Sequence, residues 1–121
     1  MIVENVISND LIGAAIKVHK SLGPGLLESA YQSCLCYELG LMGYSVEKEK
    51  SMPITYGDIE LDCGYRLDLV IDELVVIEVK SVQKLSDIHL AQVLTYLKLA
   101  DMKLGLLINF TLYCLRMELR E

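Results

Sequence analysis

Three charged residues stand where charge is expensive. Asp68, Glu78 and Lys80 lie inside runs of Val, Leu and Ile that fill residues 65–80. An unpaired charge in such surroundings costs several kcal/mol by order of magnitude. Two carboxylates close together also repel, and burial raises that repulsion. A divalent cation relieves both penalties. Mg²⁺ is usually held by one or two carboxylates, with water and a substrate phosphate completing its shell. Asp68 and Glu78 suffice for that, and the backbone carbonyl of Val79 is a further candidate ligand. Lys80 would stand beside the attacking water, where it could orient it or stabilise charge on a phosphate in the transition state. The competing reading is a buried carboxylate–lysine ion pair with no catalytic task. The spacing alone leaves both open.

The chemistry requires a particular hairpin. Residues 65–80 form two apolar strand-like runs around Asp72 and Glu73. Side chains on a strand alternate faces, so Glu78 and Lys80 share one. A two-residue loop would set Ile77 opposite Asp68. A three-residue loop, or one bulge, sets Glu78 there instead. The odd-length connection is the expectation, and the metal site depends on it.

Other elements must hold this hairpin. Residues 1–7 read as a short lead-in. Ser8, Asn9 and Asp10 are candidate caps of a first helix, with Leu11, Ile12, Ala15, Ile16 and Leu22 at helical spacing. Gly23, Pro24 and Gly25 end it. A second helix should run from Leu26 or Leu27 to about Leu41, with Glu28 in its first turn, where a carboxylate complements the macrodipole. Residues 45–50 alternate weakly and carry charge, as an exposed edge strand does. Residues 54–56 continue it, Gly57 and Asp58 turn the chain, and residues 59–63 alternate again. Ser86 or Asp87 caps a third helix over residues 88–100, with Ala91, Val93, Leu94 and Leu97 on its apolar face. His89, Gln92 and Tyr96 form a second, polar stripe, in which His89 on its own reads as an ordinary core or surface histidine. Residues 104–110 are almost wholly apolar, as in a central strand covered on both faces. Residues 112–119 read as a final edge strand. The link from residues 75–80 to residues 104–110 has the length of a β-α-β crossover, so those strands should be parallel. The fold class is α/β, a mixed β-sheet flanked by helices, in a single domain over residues 1–121.

Composition narrows the function. The chain has 121 residues, 53% of them hydrophobic, and a net charge of −6. That balance counts against a protein gripping nucleic acid over a broad surface, which is normally basic. It leaves room for a local basic rim or an acidic metal site. No segment reaches the roughly 20 apolar residues that span a bilayer, so no membrane association is expected. The start has no basic n-region and carries Glu4 and Asp10 early, so a cytoplasmic location is expected. Cys34, Cys36, Cys63 and Cys114 form no CxxC pair and have no histidine nearby in sequence. They read as small buried hydrophobes, not a zinc site.

Asp68, followed by Glu78, Val79 and Lys80, resembles the signature of the PD-(D/E)xK nuclease superfamily. More narrowly, Gly25, Glu28 and Tyr31 look like the GxxExxY motif that names a family of small prokaryotic nuclease-like proteins. The resemblance extends through residues 65–69, 77–80, 89–98 and 104–110, and covers nearly all of the chain from Asp10 to Phe110. It implies a restriction-endonuclease-like core in which Asp68 and Glu78 hold Mg²⁺ (or Mn²⁺) and Lys80 serves the hydrolytic water. It also implies that Glu28 approaches the metal, directly or through water, and that Gln92 sits over the same face with Tyr96 one turn on. Leu67 replaces the proline of the superfamily motif, at a position that supplies no ligand. The stretch after Phe110 matches less clearly, which leaves any contact from Arg116 or Arg120 open.

The leading expectation is a metal-dependent phosphodiesterase acting on nucleic acid, DNA above all, with a homodimer as a plausible assembly by analogy. The alternative is a catalytically silent nuclease-fold binding or accessory module in a larger assembly. A third is a structural oligomerisation domain.

Overall fold

Why the central stretch becomes the middle of a sheet is visible in its residues. Val, Ile and Leu at nine of the sixteen positions of residues 65–80 suit a pleated surface buried on both faces. The computed structural model describes residues 2–110 and 115–120. Strands β1 (Val46–Ser51), β4 (Arg66–Ile71), β5 (Val75–Lys80), β6 (Leu104–Phe110) and β7 (Leu115–Arg120) form a five-stranded sheet in the order β1-β4-β5-β6-β7. Strands β5 and β6 are parallel and the other neighbours antiparallel. Every residue of β6 is buried, as its composition implies. Strand β1 is an edge, with charged side chains along its exposed positions.

Helices cover both faces. On one, α1 (Ile2–Leu22) and α2 (Glu28–Leu41) enclose Ile7, Leu11, Ala14, Val18, Tyr31, Leu35 and Leu39 with Leu69, Ile71, Ile77 and Ile108 of the sheet. On the other, α3 (Asp87–Ala100) packs Val93 and Leu97 on Val70, Val76 and Leu107. The parallel β5–β6 pair is joined through α3 as a crossover.

Several elements depart from the local pattern. Helix α1 starts at Ile2, without the lead-in expected over residues 1–7. Its first two turns are held because Ile7 packs one turn before Leu11 in the core. Ser8, Asn9 and Asp10 are thus interior, and Asp10 accepts a hydrogen bond from the Tyr44 hydroxyl. That bond, with burial, pushes the phenol up to about 12. Of the apolar residues at helical spacing, Ile16 and Leu22 are exposed at the surface. On α3 the buried stripe is Val93 and Leu97, while Ala91 and Leu94 face solvent. Strands β2 (Ile54–Tyr56) and β3 (Ile59–Leu61) make a separate two-stranded hairpin instead of extending β1. Cys34 and Cys36 are partly buried, but Cys63 is exposed. The final strand runs over Leu115–Arg120; residues 112–114, part of its expected span, lie outside the described residues.

Gly105 shows how tightly α3 lies on the sheet. A Cβ there would stand 2.9 Å from Val93 Cγ1 and 3.2 Å from Leu97 Cδ1. Gly105→Val will destabilise the protein by about 1–3 kcal/mol through overpacking. Chemical denaturation against the wild type measures it, and an unchanged midpoint would refute the close helix–sheet contact.

Candidate functional site

The hairpin loop settles the parity. Ile71 pairs with Val75, which leaves residues 72–74 as a three-residue connection. Asp72 and Glu73 both have positive φ, and Leu74 N donates to Ile71 O at 2.9 Å. This is the two-left-handed-residue turn that matches strand twist. Asp72 anchors it, since its carboxylate accepts from Ser45 N at 2.8 Å and its amide donates to Ser45 O.

Continuing the β4–β5 register by one step brings Asp68 opposite Glu78. There the side chains take over from the backbone ladder. Asp68 N donates to Glu78 Oε2 at 2.8 Å, and Val79 N donates to Asp68 Oδ2 at 2.8 Å. The carboxylates share the α3 side of the sheet with Val70 and Val76. Glu78 is only 4% exposed. Burial, then the Asp68 charge, pushes the Glu78 carboxyl up to about 8. Burial also raises Asp68, to about 6, against the lowering effect of its bond from Val79.

Lys80 is half-buried on the same strand face as Glu78. Its charge lowers the proton affinity of both carboxylates, yet it forms no ion pair with either. The buried ion-pair reading is therefore not the arrangement found.

Glu28 arrives from the opposite side of the sheet. Tyr31 prepares it: its hydroxyl donates to Gly23 O at 2.6 Å and accepts from Leu26 N at 3.3 Å, while its ring stacks on Phe110 at 4.1 Å. Gly25, at φ +94°, makes the turn that a side chain would strain. So placed, Glu28 Oε2 accepts from Ser81 N at 2.9 Å, one residue past Lys80. Val79 is fully buried, and its amide is the group seen engaging Asp68.

Tyr96 of α3 lies near the carboxylates, and Tyr65, just before β4, lies against it. The Tyr96 hydroxyl is raised by burial and by the charge of Glu78. Its ring meets Tyr65 at 6.4 Å. Gln92, one turn earlier on the same helix face, is half-buried and forms no hydrogen bond among the described residues. His89 is engaged in the helix cap: Ser86 N donates to its Nδ1 at 3.0 Å.

Two participants escaped the sequence reading. Glu49 falls between the β1–β4 pairs Lys48↔Leu69 and Lys50↔Leu67, so it lies across from Asp68. Its φ is +57°, and its charge raises both Asp68 and Glu78. The weak alternation of residues 47–50 looked like a solvated edge and held no signal for this. The second is Asn109, 1% exposed, which accepts from Val82 N at 3.0 Å and donates to Val82 O at 2.9 Å. A lone Asn in an apolar strand was the available clue. Asn109→Ala will cost about 1–3 kcal/mol by leaving both Val82 groups unpaired. A thermal-denaturation comparison tests this, and an unshifted melt would refute it.

Among the described residues, no three His, Cys, Asp or Glu side chains gather closely enough to hold a metal alone. The donor set is two hard carboxylate oxygens, each pushed towards protonation by burial. Such a set fits Mg²⁺ or Mn²⁺, which keep water in their shell, better than zinc.

The sequence profile of the PD-(D/E)XK nuclease superfamily matches residues 5–121. A solved structure titled "Crystal structure of SSO0001" is similar to this chain at 18% identity and a TM-score of 0.44, over 88% of this chain. This chain spans 60% of the length of that one. No curated protein matches.

Proposed function

This chain belongs to the PD-(D/E)XK nuclease superfamily, and on that premise we propose that it hydrolyses phosphodiester bonds of nucleic acid, DNA above all. One observation carries the reading: Asp68 and Glu78, from two paired strands, meet on one face with raised proton affinities and no ion pair to a lysine or arginine among the described residues. Residues Gly25, Glu28 and Tyr31 support placement in the GxxExxY family, since each has a defined part in presenting Glu28 to the end of β5.

Members of the superfamily generally use divalent metals. Asp68 and Glu78 would hold Mg²⁺ or Mn²⁺, with the Val79 carbonyl and then Glu28 as further ligands. Bound there, the cation would neutralise charge on the phosphate and acidify the attacking water. The other parts belong to the chain. Lys80 orients that water and meets the charge that builds on the phosphate oxygens. Val79 N fixes the Asp68 carboxylate, and Ser81 N fixes Glu28. Gln92 and Tyr96 would bring an amide and a hydroxyl from α3 to the same face, and of the two it is Tyr96 that feels the Glu78 charge. A cytoplasmic location suits the free cysteines. No described helix is long and apolar enough to cross a membrane.

The net charge of −6 favours a second reading, a silent binding module within a larger assembly. Cleavage of plasmid and single-stranded DNA with Mg²⁺ or Mn²⁺ separates the two. Lys80→Ala will slow the reaction by about 10²- to 10³-fold. Equal cleavage by wild type, Asp68→Ala and Lys80→Ala would mean contamination and end the enzyme reading. Absent cleavage with retained binding to a partner protein would favour the module.

A further inference from the structure

Tyr65 lies just before β4 and is 45% exposed, although its ring stands against Tyr96. The two rings are tilted by 59°, so they do not stack face to face. Tyr96 in turn feels the charges of Glu78 and Asp68. Tyr65 is thus one side chain removed from the carboxylates, on the α3 side of the sheet. Its backbone is pinned, because Tyr65 O accepts from Met52 N at 3.0 Å and from Arg66 Nη1 at 3.2 Å. Arg66 is itself exposed, which puts a cation at the same strand end.

An isolated exposed tyrosine needs no explanation. One with its backbone pinned and its ring against Tyr96, near the proposed phosphodiester site and with a cation next to it, has a use. We propose that Tyr65 is a stacking platform for an unpaired base of a single-stranded nucleic acid whose backbone runs past Asp68 and Glu78. This rests on the nuclease reading only for where the phosphate lies. Stacking is available to any base because each has a π-face, and it needs no broad basic surface. A chain of net charge −6 is poorly suited to gripping a duplex through its phosphates, and base stacking supplies affinity by another route. In a duplex the bases are already stacked on each other and closed to Tyr65.

The test is fluorescence anisotropy with labelled oligo(dT), oligo(U) and a DNA duplex, in Ca²⁺ to limit turnover. Tyr65→Ala will weaken oligo(dT) binding by roughly 5- to 100-fold. Tyr65→Phe and Tyr65→Trp will keep it, and duplex binding will change little. The chain contains no Trp, so Tyr65→Trp also adds a single emitter, whose fluorescence will be quenched as oligo(dT) saturates. Oligo(U) decides whether DNA and RNA strands are both accepted. Unchanged oligo(dT) binding in Tyr65→Ala, a parallel loss of single-strand and duplex binding, or unquenched indole emission from the Tyr65→Trp protein would each overturn the proposal. Cleavage is scored separately. Full Mg²⁺-dependent cleavage with Tyr65-independent binding removes the platform and leaves the nuclease. Tyr65-dependent binding with no cleavage leaves the platform and removes the nuclease.

Discussion

Glu78→Gln will lower Mg²⁺-dependent DNA cleavage by roughly 10³-fold and, in the same protein, raise the stability of the metal-free fold near pH 8. The two effects have one cause. Glu78 is a carboxylate 4% exposed, facing Asp68, with no ion pair of its own. As an anion it is unfavourable at this burial, whereas the proposed metal site would require that charge. Glutamine keeps the size and an oxygen that can accept from Asp68 N, but removes the charge. The gain should be about 1–3 kcal/mol, measured by chemical denaturation in a chelator. The competing interpretation, a structural carboxylate–lysine pair, predicts the reverse, because removing one partner would strand Lys80. A destabilised Glu78→Gln protein with full activity would therefore end the metal-site interpretation.

A second large effect is the pH dependence of the metal-free protein. Glu78 is raised to about 8 and Asp68 to about 6, both above ordinary carboxylate values. Between the ordinary value and the raised one, the folded protein holds a proton that the unfolded chain has released. Stability therefore falls as pH rises, with full benefit below the unfolded pKa values and loss complete only above about pH 8. Each such proton gives a slope of up to about 1.4 kcal/mol per pH unit. Thermal melts in a chelator between about pH 6 and 8 will show this decline in the wild type, flattened in Glu78→Gln. Adding Mg²⁺ or Mn²⁺ will reverse it most at the upper end, where the carboxylates are ionised, by mass action on the folded state. A flat wild-type profile without metal, or an equal metal effect in Glu78→Gln, would show that these carboxylates are not the metal-responsive pair.

The site was legible in sequence as far as alternation reaches. Strand parity placed Asp68, Glu78 and Lys80 on one face, and the three-residue connection delivered it. The unbroken apolar run of β6 announced a strand covered twice, and the crossover length announced its parallel pairing with β5. These features follow from side chains within a few residues of each other, where the two-residue period of a strand is stereochemically imposed.

Tertiary structure alone decided the rest. Helix α1 begins at Ile2 because Ile7 finds the core, although residues 8–10 look like a cap. Strands β2 and β3 leave the main sheet, which short alternating runs cannot reveal. Glu49 enters the carboxylate group through a left-handed backbone on an edge strand, where its pattern promised only solvent. Glu28 meets Ser81 across 53 residues of sequence, and Asn109 meets Val82 across 27. The sequence by itself determined which charges were out of place and which face of the hairpin they share, since both are properties of local geometry. Which distant residues converge on that face depended on packing two helices against one side of the sheet and a third against the other, a many-body balance that no local period encodes.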